Sequence, residues 1–289
     1  MRSTTTGKEL LKIVKEAVKQ DPEYKKIPIL SALSVVGTFL ATIALTLILI
    51  LVLPSSLTDA LIAIGYILIT SSVALVTYFF QVALTHGANE RFEGNDPNIK
   101  NSIEYAKTKI KKLIPYAIIY GTVGYLLKMF GDRGLFSKII QSVLGATWSI
   151  LNIFTVQIIA LEELTTLQSM RKSQFLFLQK WGKTVRTTAR LSLKGVGMIF
   201  LLVIGGLAGV IFIASLSNGD ISKSITGLVI LAIIFVALFT YFSLLYATYA
   251  TYTKTILYRY ANNMKVTGVE EYILQGAFNE TIKEKKKEK

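Results

Sequence analysis

Six long apolar runs separate the polar stretches of this chain. They cover Ile27–Leu53, Leu57 to about Thr85, Leu113–Leu127, Leu135–Leu161, Leu191–Leu216 and Ile225 to about Thr253. A helix of about 20 residues crosses a 30 Å hydrocarbon core, so the runs predict six transmembrane helices. The third is the shortest and needs snorkelling lysines or a thinned bilayer to span. Three of the connections are tight: Pro54-Ser55-Ser56, Gly131-Asp132-Arg133-Gly134 and Ser217-Asn218-Gly219-Asp220. The others are long and helical in pattern. The fold class expected is all-α: a polytopic membrane protein of three hairpins with cytoplasmic amphipathic helices. Its expected parts are an amphipathic N-terminal segment (1–26), a six-helix membrane domain (27–253) and a basic tail (254–289).

Charge sets the orientation. Of the 32 Lys and Arg residues, 28 fall at the N-terminal tail, the two long loops and the C-terminal tail, and four (Lys128, Arg133, Lys138 and Lys223) lie in or beside the tight connections. Basic loops stay cytoplasmic, so both termini are expected inside a cell membrane. The first apolar run is too long for the core of a cleaved signal peptide and reads as an uncleaved anchor. Only 17% of residues are charged, against 52% hydrophobic, and the mean hydropathy is +0.51. The net charge of +14 is explained by inside loops beside anionic lipid, without nucleic acid as a partner.

The polar stretches are patterned too. On residues 8–19, Lys8, Lys12, Lys15 and Lys19 share a stripe of about 60 degrees opposite Leu10, Leu11, Ile13, Val14, Ala17 and Val18. Such a helix suits the headgroup layer, lysines towards anionic lipid headgroups, or a dock on the protein's own cytoplasmic face. Asp96-Pro97 reads as a cap followed by the first helical residue. Ile99, Ile103, Ala106, Ile110 and Leu113 then predict one helix running into the third span, with Pro115 marking a bend. Arg171, Lys172, Lys180, Lys183 and Arg186, mixed with Phe175, Phe177, Leu178 and Trp181, suit a membrane interface.

Candidate chemistry is sparse. There is no cysteine, and His86 is the one histidine, so thiolate chemistry and histidine-pair metal sites are excluded. No phosphate-binding loop, dinucleotide fingerprint or nucleophile elbow occurs. No cofactor is expected, and the chain reads as non-enzymatic. Glu162 and Glu163 are adjacent and point about 100 degrees apart on a helix, which favours a solvated or arginine-paired helix end. Gly205 and Gly209 form a GxxxG that reads as close helix packing; Gly121 with Gly124 and Gly37 with Ala41 read the same way. The deepest polar groups are Gln81, Asn152 and Gln157. Hydrogen bonding between helices accounts for them, and a solute-lining role is the alternative.

Several short blocks occur in order: Asp21-Pro22-Glu23 before Ile27-Pro28-Ile29-Leu30-Ser31, Glu93-Gly94-Asn95-Asp96-Pro97, Gly145-Ala146-Thr147-Trp148-Ser149, Arg171-Lys172-Ser173, Leu176-Phe177, Trp181-Gly182, Leu257-Tyr258-Arg259-Tyr260-Ala261, Gly268 and Ala277-Phe278. With them the chain resembles an uncharacterised family of six-span prokaryotic membrane proteins, common in archaea, a domain of unknown function. The resemblance implies six spans and no active residues. It also implies a proline kink late in the fourth span, where this chain has Thr155-Val156-Gln157.

The function expected is therefore that of a multi-pass membrane protein whose basic segments engage anionic lipid, a partner protein or a second copy. The alternative is a transporter or channel for a small neutral or lipidic solute. A membrane enzyme ranks third.

Overall fold

The computed structural model describes residues 2–131, 135–181, 227 and 246–277. The chain divides into two compact units, one formed by Met1–Lys183 with Thr248–Lys289 and the other by Thr184–Ala247. The expected fifth span and most of the sixth, with Gly205 and Gly209, lie outside the described residues.

Every regular element among the described residues is helical. The order is α1 (Arg2–Gln20), α2 (Lys26–Val52), α3 (Thr58–Glu93), α4 (Ile99–Thr108), α5 (Ile110–Gly131), α6 (Leu135–Leu151), α7 (Thr155–Leu161), α8 (Thr166–Trp181), α9 (246–261) and α10 (Glu271–Ala277). Among the described residues, three stretches are long and apolar enough to cross a membrane: Pro22–Val52, Ser55–Glu93 and Ser137–Leu161. They point to membrane association.

The first of them makes the point most clearly. Along α2 only Ile27 and Pro28 are buried, while Leu33, Leu40, Leu47, Ile48 and Leu51 are all more than half exposed. A helix that is apolar on every side and uncovered has the surface of a bilayer span. Thr42 and Thr46 each donate to the carbonyl four residues back at 2.8 Å, which satisfies these two hydroxyls within the helix. Pro54 and a 3₁₀ turn (Ser55–Leu57) reverse the chain into α3.

Small residues let α3 approach its neighbours. A Cβ on Gly65 would collide with Thr46 of α2, and one on Gly121 of α5 with Ser71 and with the Ile67 carbonyl of α3. A Cβ on Gly87 would strike the Tyr24 ring. Gly124 and Gly37 meet nothing within 4 Å, so of the pair Gly121 with Gly124 only Gly121 packs closely, and Gly37 of the pair with Ala41 does not.

The polar ends depart from the expected boundaries. Helix α3 continues past Thr85 to Glu93 because Ala88 and Phe92 keep burying apolar surface, and it stops at Gly94, whose φ of 97° ends the helix. Asn98, not Asp96, caps α4, accepting from the backbone N–H groups of Lys100 and Asn101. α4 and α5 are separate helices, divided at Lys109, rather than one continuous rod.

Helix α1 does not lie with its apolar side open to lipid. Leu10, Val14, Ala17 and Val18 are buried in one cluster with Phe92, Phe154, Ile158, Tyr252, Ile256, Ile273 and Leu274. The expected headgroup-layer insertion of that face is corrected accordingly, since protein already fills the space that acyl chains would occupy. Lys12, Lys15 and Lys19 remain exposed.

Candidate functional site

The fourth apolar run is broken. α6 ends at Leu151, residues 152–154 turn, and α7 resumes at Thr155. No proline is needed, because side chains take over the freed backbone groups. Ser173 of α8 accepts the Phe154 N–H at 3.1 Å and donates to the Leu151 carbonyl at 2.9 Å. Asn152 Nδ2 donates to the Trp148 carbonyl at 2.9 Å, and Thr155 Oγ1 donates to Asn152 Oδ1 at 3.1 Å. Irregular backbone at membrane depth is tolerated where it is satisfied in this way or lines a cavity. Here both hold.

Beside the break lies a cavity of about 540 Å³. α3 contributes a stripe from Ile69 to Gln81, α5 contributes Tyr116 and Tyr120, and α6 contributes Trp148 and Ser149. Asn152 and Ile153 line it from the break, Gln157 from α7, Phe39 from α2 and Lys254 from α9. Tyr78 stacks on Tyr116 with centroids 4.7 Å apart and meets Tyr120 edge-on at 5.7 Å, which gives one wall a rigid aromatic surface. The volume falls in the range of about 300–1,000 Å³ usual for ligand sites.

The hydrogen-bonding state of this lining is uneven. Asn152 and Thr77 are engaged within the protein. Gln157 Oε1 and Trp148 Nε1 are buried with no partner among the described residues, although a buried polar group normally has one. Lys254 makes no hydrogen bond or ion pair among the described residues, and none of the described lining residues is acidic. A second cavity of about 380 Å³ is lined by Asp59, Gly65, Tyr66, Tyr125 and Lys128 among others. Both cavities touch Ile69, so they follow each other along α3.

Gln81, Asn152 and Gln157 are thus brought to one cavity. Lys12, Lys15 and Lys19 lie on the exposed side of α1, and Lys12 pairs with Glu16 at 4.0 Å. Lys8 belongs to the same helix. Lys254 escaped the sequence reading because it was counted with the basic tail. The available signal was its position: a lysine that directly follows the expected sixth span and continues its helix.

Around the α1 end, ion pairs join the elements. Asp21, 2% exposed, receives Arg91 Nε at 2.8 Å and Arg91 Nη2 as well, and Asp96 holds the same Nη2 at 2.8 Å. Arg259 reaches Glu93 at 2.8 Å, Asn89, and the Lys265 carbonyl. Glu162 and Glu163 diverge, as expected, but their partners are lysines. Glu162 binds Lys172 at 2.6 Å and the Tyr258 hydroxyl, and Glu163 binds Lys109 at 2.5 Å and Lys112 at 2.8 Å. Hydrogen bonds from Lys109 and then Lys112 pull the Glu163 carboxyl down to about 2. Burial, followed by the hydrogen bond to Glu162, raises the Tyr258 phenol well above its usual range. His86 Nδ1 is 3.1 Å from Ser102 Oγ, which is 2.7 Å from the Tyr24 hydroxyl, and the His86 ring stacks on Tyr105 at 4.1 Å.

Apolar helices of spanning length, a broken helix and a cavity beside the break fit a membrane-type protein with an internal cavity. The chain belongs to DUF6159, a family of unknown function, whose model matches residues 60–268. That match takes in every residue named as lining the first cavity except Phe39. No curated protein matches the chain.

Proposed function

We propose that this is a six-span, non-enzymatic protein of the cell membrane, with cytoplasmic termini, that holds a small or lipidic solute in the cavity along α3. The observation that carries the reading is the broken helix α6–α7 beside a space lined by Gln81, Asn152 and Gln157. Interrupted helices that expose polar groups at membrane depth are the usual construction of solute sites in transporters. The second cavity supports movement as well as binding. From Asp59 to Gln81 the two cavities follow α3 for 22 residues, about 33 Å at 1.5 Å per residue, close to the thickness of a hydrocarbon core. The exposed lysines of α1 favour a second role, in which Lys12, Lys15 and Lys19 meet anionic lipid headgroups, a partner protein or a second copy.

Native mass spectrometry of the protein released from membranes tests the first reading. A bound small molecule or lipid is expected on the wild type and is expected to be lost from the Asn152→Leu, Gln157→Leu double variant. Equal occupancy of both proteins would refute the cavity as the site. Reporters fused to the C-terminus and within residues 217–222 should lie on opposite sides of the membrane; the same side for both would end the six-span topology.

A further inference from the structure

We infer that the cavity along α3 takes a single-chain amphiphile with an anionic head, a carboxylate or a phosphate, whose charge is met by Lys254. The inference rests on the proposal that this cavity is a solute site, and names the chemical class the site selects.

The lining is graded. The α3 stripe passes from Gln81 through Tyr78 and Thr77 to Ala74, Val73, Thr70 and Ile69, about 18 Å along the helix. The far end is chiefly aliphatic and is completed by Phe39 of α2, which is 44% exposed on the apolar outer surface. The near end is polar. Gln157 of α7 and Lys254 of α9 both line the space, so an amide and an ammonium from two helices join Gln81 on its wall. A polar end and an aliphatic end that reaches the apolar surface fit a head and a tail.

The charge of the head follows from what is left unpaired. A lysine placed in such a space without a counterion carries a desolvation penalty that a ligand anion relieves. Among the described residues no acidic side chain lines the cavity, so an anion meets attraction with no opposing carboxylate. Trp148, another lining residue, has an indole N–H with no acceptor among the described residues. The Gln157 amide, whose oxygen has no partner, accepts from a protonated phosphate oxygen or presents its N–H groups when turned over. A neutral solute would leave Lys254 as it is.

Radiolabelled hexadecanoate binding to the full chain in a neutral detergent tests this, with hexadecyl phosphate, hexadecanol and inorganic phosphate as competitors. Saturable binding is expected, displaced by hexadecyl phosphate and not by hexadecanol. Lys254→Gln should weaken it by about tenfold or more, and Lys254→Arg should retain it, since losing a charge-assisted contact costs about that factor. Because the glutamine removes an unpaired charge, ligand-free Lys254→Gln should melt no lower than wild type. Displacement by inorganic phosphate at similar concentration would support the anion and overturn the tail. Hexadecanol competing equally, or full affinity in Lys254→Gln, would overturn the anionic head while leaving a cavity for neutral amphiphiles. Binding unaffected by Asn152→Leu with Gln157→Leu would remove the cavity reading itself.

Discussion

Asp21→Ala tests how α1 is held to the rest of the molecule. The Asp21 carboxylate is 2% exposed and takes two hydrogen bonds from Arg91, whose side chain is 19% exposed. Its removal strands most of a guanidinium in a largely desolvated place. The remaining partner, Asp96, is 94% exposed and shares its charge with solvent, so it offsets little. Breaking a buried pair from one side costs about 3–5 kcal/mol. Because Arg91 keeps some access to water, the expected loss lies at the lower end, about 3 kcal/mol, or roughly a hundredfold in the unfolding equilibrium. The assay is reversible unfolding in mixed micelles of wild type, Asp21→Ala, Arg91→Met and the double variant. Removing both groups eliminates the stranded charge, so the double variant should be more stable than Asp21→Ala alone. A loss below about 0.5 kcal/mol for Asp21→Ala, the scale of an exposed pair, would refute the argument that burial makes this contact matter.

Two further predictions follow from packing and charge. Gly121→Leu should destabilise the fold by about 1–3 kcal/mol or more, because its side chain would enter space held by Ser71, Thr70 and the Ile67 carbonyl, while Gly124→Leu should be close to neutral; equal melting of the two in detergent would contradict the packing, and Gly205→Leu with Gly209→Leu belongs in the same series. The Glu163 carboxyl is held at about 2 instead of 4.5, so its contribution is fully present above the unfolded value and is lost as pH falls from about 4.5 through about 2; the stability of Glu163→Gln relative to wild type should change across that acid window and not between pH 6 and 8, and a flat difference across the acid window would refute it.

How much of this was legible in the sequence depended on the kind of force involved. The limits of α2 were close, Ile27–Leu53 against Lys26–Val52, because a long apolar run that stops at proline leaves few alternatives. Where helices leave the apolar region, hydrophobicity stops discriminating. The last turns of α3, the cap at Asn98 and the division at Lys109 are decided by tertiary burial and side-chain hydrogen bonds that no local pattern announces. The break at 152–154 is the sharpest case. It depends on Ser173, some 20 residues away, to satisfy Phe154 and Leu151. Gln81, Asn152 and Gln157 stood out as rare polar groups in apolar runs, and that rarity was informative. Lys254 did not, since a charge at the end of a span is ordinary until the fold shows what it faces. For α1 the amphipathic pattern was right, but amphipathicity does not say whether lipid or protein meets the apolar side.

The chain has no cysteine, so single cysteines can be placed at will. The most direct measurement of the central claim is the rate at which a water-dependent thiol reagent labels Ser149→Cys and Gln81→Cys, in the cavity, and Leu33→Cys and Leu47→Cys, on the outer face of α2, in native membranes. A thiol must ionise to react, and it does not do so in hydrocarbon. Although Leu33 and Leu47 are 67% and 55% exposed, their cysteines should stay unlabelled, while those in the cavity react and are protected by the bound amphiphile. Rapid labelling at positions 33 and 47, with inert cysteines at 81 and 149, would contradict the account: α2 would then face water, and the space along α3 would be closed.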